Sequence, residues 1–259
     1  MKRKYIIGVG LAMAIIATVS IGIIVNKNNT DLNNITANND VADKNEDGFE
    51  TYTYITDEML ENSETSTMYP ELKSEFTPEI MFNESDAIAL VTITTIDGAS
   101  MEYSAYGMTY GTMVVDNIIY GNIEVNENGL AGFFKPGGLV SVADYDAHDN
   151  QAAVEKRDYL REQAGIEIDK ENSYMNLKVE NDVELEVGKT YLAYLHFRDK
   201  YGKYEIVGLR NGLREVNVAQ QTRVKTQSLD LNNIQIKNNV TGEWEDLDQY
   251  IQENIEVYE

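Results

Sequence analysis

The chain has 259 residues, with 21 Lys and Arg against 44 Asp and Glu, a formal net charge of −23 and no cysteine. Such a charge repels nucleic acid and anionic lipid headgroups. The missing cysteines exclude disulfides, thiol catalysis and a lipid-modified N-terminal cysteine, while a hydrophobic content of 42% excludes disorder of the chain as a whole.

Met1-Lys2-Arg3-Lys4 stands directly before Tyr5 to Val25, a run of 21 residues without a charge. In helical form the run reaches about 30 Å, the thickness of a bilayer's hydrocarbon core. A helix satisfies every backbone N–H and C=O within the segment, as a lipid-exposed span must. Basic residues precede the run and only Lys27 follows closely, which keeps the N-terminus in the cytoplasm and the rest of the chain outside. Length favours residues 1–25 as a retained single-pass transmembrane helix. The alternative is a signal peptide cleaved near Gly22, where Ser20-Ile21-Gly22 is a weak site. With +3 in the first 25 residues, the remainder carries −26. Solubility at a crowded surface explains that charge; attraction of cations or basic partners is the functional alternative.

Residues 26–67 are rich in Asn, Asp, Glu and Thr, show no lasting apolar period, and read as a polar flexible stalk. Asp43 to Gly48 matches the first half of a calcium loop. The twelfth position is Tyr54 where a bidentate Glu is needed, so the segment reads as linker.

Residues 68–259 form the main domain. Thr77-Pro78-Glu79 caps a short helix to about Glu84, with proline at the first helical position. Asp86 to Thr94 is short, β-branched and followed by Asp97-Gly98, which predicts a strand and a turn. Met101 to Gly111 is a tyrosine-rich connection. Thr112 to Tyr120 is a second strand, closed by Gly121-Asn122. Phe133-Phe134 leads to a turn at Lys135-Pro136-Gly137-Gly138, and Leu139 to Ala143 forms another strand. Asn150 to Ala164 holds good helix formers and ends at Gly165, which predicts one helix inserted on the outside of a β-structure. Val183, Leu185 and Val187 alternate with glutamates as a strand. Thr190 to Phe197, Tyr204 to Arg210 and Leu213 to Val218 continue as a meander, with Asn211-Gly212 suited to a type I′ turn. Ile234 and Ile236 form a last strand, and Trp244, Leu247, Ile251 and Ile255, spaced by three and four, predict a short C-terminal helix.

Three stretches carry a family resemblance: Ser85-Asp86-Ala87-Ile88, then Asn117-Ile118-Ile119-Tyr120-Gly121-Asn122, then Gly188-Lys189-Thr190-Tyr191-Leu192-Ala193-Tyr194-Leu195. Over about residues 80–218 the chain resembles an uncharacterised domain of secreted and membrane-tethered proteins of Gram-positive bacteria. The resemblance implies a mainly β fold, a small antiparallel Greek-key barrel like the OB-fold, also seen in tissue inhibitors of metalloproteinases. The chain lacks the inhibitors' cysteines, so inhibition is not carried over, and the resemblance brings no catalytic motif.

Chemistry is sparse. Gly188-Lys189-Thr190 has valine at position 183, where a phosphate loop needs glycine. Asp144, Asp146, His148 and Asp149 cluster ahead of the helix and suit a divalent cation. The competing reading is a solvated loop whose last members cap that helix. His196 falls on a strand, on the face of Leu192 and Tyr194. No serine sits in a nucleophile elbow, and 44 acidic residues make any carboxylate pair uninformative. Among 17 tyrosines, Tyr103, Tyr106 and Tyr110, beside Met101 and Met108, form a candidate contact surface. No catalytic residue, metal ligand or cofactor is assigned. The expectation is an extracytoplasmic binding or structural domain of the cell envelope, contacting an envelope protein or glycan and the membrane only through its N-terminal helix. The alternatives are an enzyme on envelope polymers using paired carboxylates, or an inhibitor or accessory subunit of a surface protein.

Overall fold

The computed structural model describes residues 51–69, 76–104, 106–217 and 234–258. The run Tyr5 to Val25 and the half calcium loop at Asp43 to Gly48 lie outside the described residues, among which no helix is long and apolar enough to cross a membrane. The fold is mainly β. In chain order it comprises β1 (Tyr52–Thr53), α1 (Asp57–Glu61), β2 (Ser63–Met68), α2 (Pro78–Glu84), β3 (Ala87–Ser100), β4 (Met108–Gly121) and β5 (Leu130–Pro136). Then come β6 (Gly138–Ser141), α3 (Val142–His148), α4 (Gln151–Gln163), β7 (Tyr174–Val179), β8 (Thr190–Arg198) and β9 (Lys203–Ile206). Last are α5 (Leu209–Gly212), β10 (Leu213–Asn217), β11 (Gln235–Lys237), β12 (Trp244–Asp246), α6 (Leu247–Asn254) and a 3₁₀ turn at Glu256–Tyr258.

Five strands pair in a cycle. β3 pairs antiparallel with β4, β4 with β5, β5 runs parallel to β9, β9 pairs antiparallel with β8, and β8 returns antiparallel to β3. The alternation within β3 and β8 explains why both read as continuous apolar runs. Ala89, Val91 and Ile93, with Tyr191, Ala193 and Leu195, join Met113, Phe133, Tyr204 and Ile206 in one cluster. Ile88, Leu90, Leu192 and Tyr194 point the other way, into a second cluster with Met81 and Phe82 of α2 and Leu247, Tyr250 and Ile255. Strands buried on both faces lose the polar half of the usual period. The predicted helix at 78–84 and the C-terminal helix are therefore the covers of this second cluster, and Thr77 caps the former through its hydroxyl.

Several expected elements differ. Asp97-Gly98 makes no turn: β3 runs through it, with a register shift between Ile96 and Gly98 that absorbs the irregularity. Residues 183–187 form no strand; Val183, Leu185 and Val187 pack as an irregular segment against the first cluster. Asn211-Gly212 is not a hairpin turn. β9 and β10 both lie antiparallel to β8, along successive parts of it, so the chain bulges out through α5 and resumes its direction. Glycine is needed at 212 because a Cβ there would fall 1.7 Å from the Val207 carbonyl oxygen.

The insertion between β5 and β8 is more than one helix. β7 pairs antiparallel with β6 and parallel with β2, a three-stranded sheet carrying α3 and α4. Asn150 caps α4 through its side chain, and Gly165 follows at φ +66°, as the sequence predicts. Of the residues 26–67 expected as a stalk, the described ones, from 51 onward, include paired strands of the fold. All six residues of β2 pair with β7, β1 runs parallel to β3, and the Tyr54 hydroxyl donates to the Leu139 carbonyl. Serine and threonine hide this in the sequence, since the strand is fixed by backbone pairing and not by apolar side chains.

Candidate functional site

Two of the predicted tyrosines, Tyr103 and Tyr106, line one cleft, together with residues the sequence did not single out. The register of the cyclic sheet places Tyr110 opposite Phe134, Phe134 opposite Glu205, and Glu205 opposite His196. These four side chains form a row across β4, β5, β9 and β8, on the face turned away from Phe133, Tyr204 and Ile206. Two connections close over the row. The β3–β4 connection brings Tyr103, whose ring stacks near Phe134 at 6.1 Å between centroids and meets Tyr110 edge-on at 5.9 Å. The turn between β8 and β9 brings Tyr201, edge-on to Tyr103 at 4.9 Å and to Phe134 at 5.6 Å. Such offset and edge-to-face pairs hold the rings as one unit. The resulting cleft has a volume of about 620 Å³ and is lined by Tyr103, Tyr106, Phe134, His196, Arg198 and Tyr201 among others. A smaller cavity of about 300 Å³ between β4 and α6 has no aromatic lining.

Tyr110 is part of the cluster rather than of the cleft wall. Its ring lies over Gly98, where a Cβ would stand 2.6 Å from the hydroxyl. The glycine read as a turn signal therefore works as clearance for an aromatic ring. Tyr106 lines the cleft beside Met108. Burial, then the neighbouring Glu102 carboxylate, raises the Tyr103 hydroxyl pKa above its usual value, so the phenol stays protonated and available as a donor.

The polar end of the row is organised by ion pairs. Asp86 Oδ2 lies 3.0 Å from His196 Nδ1 and accepts from the Phe197 N–H at 2.8 Å. The imidazole is thus oriented by a carboxylate through Nδ1, and Nε2 is the ring nitrogen left for another partner. Glu205 is held by Arg198. Lys200 Nζ donates to the Tyr201 hydroxyl at 3.0 Å, and that bond raises the ammonium pKa. Glu205 and Asp86 are therefore each partnered, and Asp199 is a further carboxylate in the cleft lining.

The acidic cluster goes elsewhere. Asp144, Asp146 and His148 lie within α3 and Asp149 is its C-cap, so the predicted loop is a helix. Asp146 pairs with Arg157 at 2.7 Å and Lys170 at 2.8 Å, and Asp149 with Arg157 at 2.6 Å. Asp144 accepts from the Met101 N–H and sits 3.1 Å from His148 Nδ1. Burial would raise the Asp146 carboxyl, but hydrogen bonds from Lys170 and Arg157 carry it below its ordinary range. Protein cations occupy the place a metal would take, and among the described residues no group of three or more His, Cys, Asp or Glu is arranged to hold one. Lys189 stands just before β8 and pairs with Glu186 at 2.7 Å and Glu215 at 3.2 Å, which leaves no phosphate cradle.

No protein-family model matches the chain, and neither a curated protein nor a solved structure is similar to it.

The sequence missed Phe134, Tyr201, His196, Arg198 and Glu205 as neighbours of the tyrosines. Phe133-Phe134 is legible in the sequence, but its meeting with Tyr201 depends on the parallel register of β5 with β9. No local pattern encodes that register.

Proposed function

We propose that this protein is a membrane-tethered, extracytoplasmic binding domain of the cell envelope, and that its aromatic cleft takes an uncharged glycan. The observation that carries this reading is the convergence of Tyr103, Tyr201, Phe134 and Tyr106 on one cleft beside the Arg198 guanidinium and the His196 imidazole. Flat apolar rings flanked by planar polar groups suit the faces and hydroxyls of a sugar ring. The net charge of −23 disfavours anionic polymers, and the uncharged 21-residue segment behind three basic residues supports the tether and the outward orientation.

The fold that supports the cleft is proposed to be a Greek-key barrel of OB-like type, preceded by a single transmembrane helix. The five-strand cycle β3-β4-β5-β9-β8, with its parallel β5–β9 contact, supports this, as does burial of both faces of β3 and β8. In such folds the outer face of the second and third strands, with the loops beside it, is where oligosaccharides and oligonucleotides bind. Tyr110 and Phe134 stand on that face. Glu205 and Asp86 are each engaged by a side chain at the cleft, which disfavours those two as the carboxylate pair of the enzyme alternative.

The test is calorimetric titration of the full-length chain in detergent with soluble, uncharged cell-wall glycan fragments. Each of Tyr103→Ala and Tyr201→Ala is expected to weaken binding about 2- to 10-fold, the worth of one aromatic contact. Unchanged affinity in both variants would remove the cleft from the interaction. Tighter binding to an anionic wall polymer than to the uncharged fragments would overturn the glycan assignment.

A further inference from the structure

Lys135 is an amine at a position where the alternation of β5 calls for an apolar side chain. It follows Ala131 and Phe133 on the face of the first cluster and is 5% exposed. Its Nζ contacts Asp182 Oδ2, and the two side chains are 6% and 4% exposed. Among the described residues Asp182 is the one acid in contact with that amine. The carboxyl group is also held in place: its other oxygen accepts from the Val183 N–H at 2.8 Å, and the Asp182 N–H donates to Val179 O at 3.1 Å. Asp182 thereby sits in a fixed turn just past β7, entered through Asn181 at φ +58°.

A salt bridge this deep gains little, because the loss of hydration offsets the attraction. Amide formation removes both charges at once, which a poorly hydrated site favours, and it needs an amine held against a carboxyl group, as these two side chains are. Contact enforced by a fold is equivalent to an effective concentration on the order of 10⁵–10⁸ M.

We propose that Lys135 and Asp182 condense into an intramolecular amide cross-link. The Nζ–Cγ bond forms, one Cγ–O bond breaks, and that oxygen leaves as water with two protons from the ammonium. Ammonium plus carboxylate equals amide plus water, so atoms and charge balance without any oxidant, reductant or cofactor. Escape of the water from a dry site to bulk solvent draws the reaction forward. The bond joins β5 of the cyclic sheet to the turn leaving β7 of the small sheet, and closes the loop that holds β6, α3, α4 and β7. No cysteine is available to staple these parts. Closing a loop of this length restricts the unfolded chain as a disulfide would.

Intact mass spectrometry of the denatured full-length chain tests this, with peptide mapping after trypsin. The expected mass is lower than the sequence mass by one water, and one branched tryptic peptide contains both Lys135 and Asp182. The Lys135→Met chain, analysed denatured whether or not it folds, is expected at its full sequence mass. A wild-type chain at full mass, with Lys135 and Asp182 in separate peptides, overturns the proposal. So does a water loss that persists in Lys135→Met, because an aspartyl succinimide would then explain it.

Discussion

The cyclic sheet and the small sheet are built on different physics. β3 and β8 are enclosed on both faces, with Ile88, Leu90, Leu192 and Leu195 all fully inaccessible to solvent. The β2-β7-β6 sheet buries a short apolar list, chiefly Val140, Val142, Met175 and Leu177, and its parallel edge strand β2 is made of Ser, Glu and Thr except for Met68. What burial leaves short there is supplied by charge: Asp146, Arg157, Lys170, Asp158, Arg161 and Glu64 form a chain of ion pairs along α3, α4 and β2. Even α4 buries a charged residue, Arg161, and no apolar one. A sheet held by apolar burial should fail as one unit, whereas a sheet held by charge should loosen locally and respond to pH.

The comparison predicts a ranking. Leu192→Ala leaves a cavity in the second cluster and should lower global stability by about 2–5 kcal/mol, the range for buried leucine truncation. Urea unfolding monitored by far-UV circular dichroism checks it. A loss under ~1 kcal/mol would mean that the double-sided burial of β8 is not what holds the ring. Arg157→Ala comes next. It removes the shared partner of Asp146 and Asp149 and leaves Asp146 with Lys170 alone, a loss of about 1–3 kcal/mol for a poorly solvated charged hydrogen bond. Native-state hydrogen exchange should show the loss in β6 and β7 with β3 and β8 still protected. Equal loss in both sheets would erase the distinction drawn between them.

The same contrast explains what the sequence made legible. β3, β4 and β8 announce themselves through β-branched and aromatic runs, and α4 through its helix formers and caps. These signals are local. β2 is invisible because a parallel strand of Ser and Thr owes its place to backbone pairing with β7, more than a hundred residues away. The irregular segment at 183–187 was misread as a strand for the opposite reason. Alternation is present, but Val183, Leu185 and Val187 serve a cluster and not a ladder. Tyr103, Tyr106 and Tyr110 were found by abundance, while Phe134, Tyr201, His196 and Glu205 join them only through a register that no single stretch records. The acidic cluster was legible as a cluster, but its partner Arg157 sits on the next helix and Lys170 beyond it, so the cations that occupy it could not be assigned.

Acid sharpens the comparison further. The Asp146 carboxyl titrates below its ordinary 3.8 because Lys170 and Arg157 hydrogen-bond its charged form, in spite of burial. As pH falls, the unfolded carboxyl takes up a proton before the folded one does. The stabilisation is therefore complete above about 3.8 and is lost as pH descends through the folded value. Exchange protection in β6 and β7 should fall in that window ahead of the central part of β8, where Leu192, Ala193 and Tyr194 are buried in apolar clusters. Loss of both sheets at one pH would show that the small sheet does not titrate independently.

The smallest expected effect concerns the outer face of α4. Leu160 is 45% exposed and Tyr159 58% exposed, so their apolar surface is largely hydrated already in the folded chain. Leu160→Ala should shift stability by no more than about 0.5 kcal/mol, since alanine also favours the helix. The contrast with Leu192→Ala is then one between the same substitution at 45% and at 0% exposure. If urea unfolding gave comparable losses for both, α4 would be covered in solution by something other than solvent. The charge-held account of the small sheet would then have to yield to one in which its helix is part of an interface.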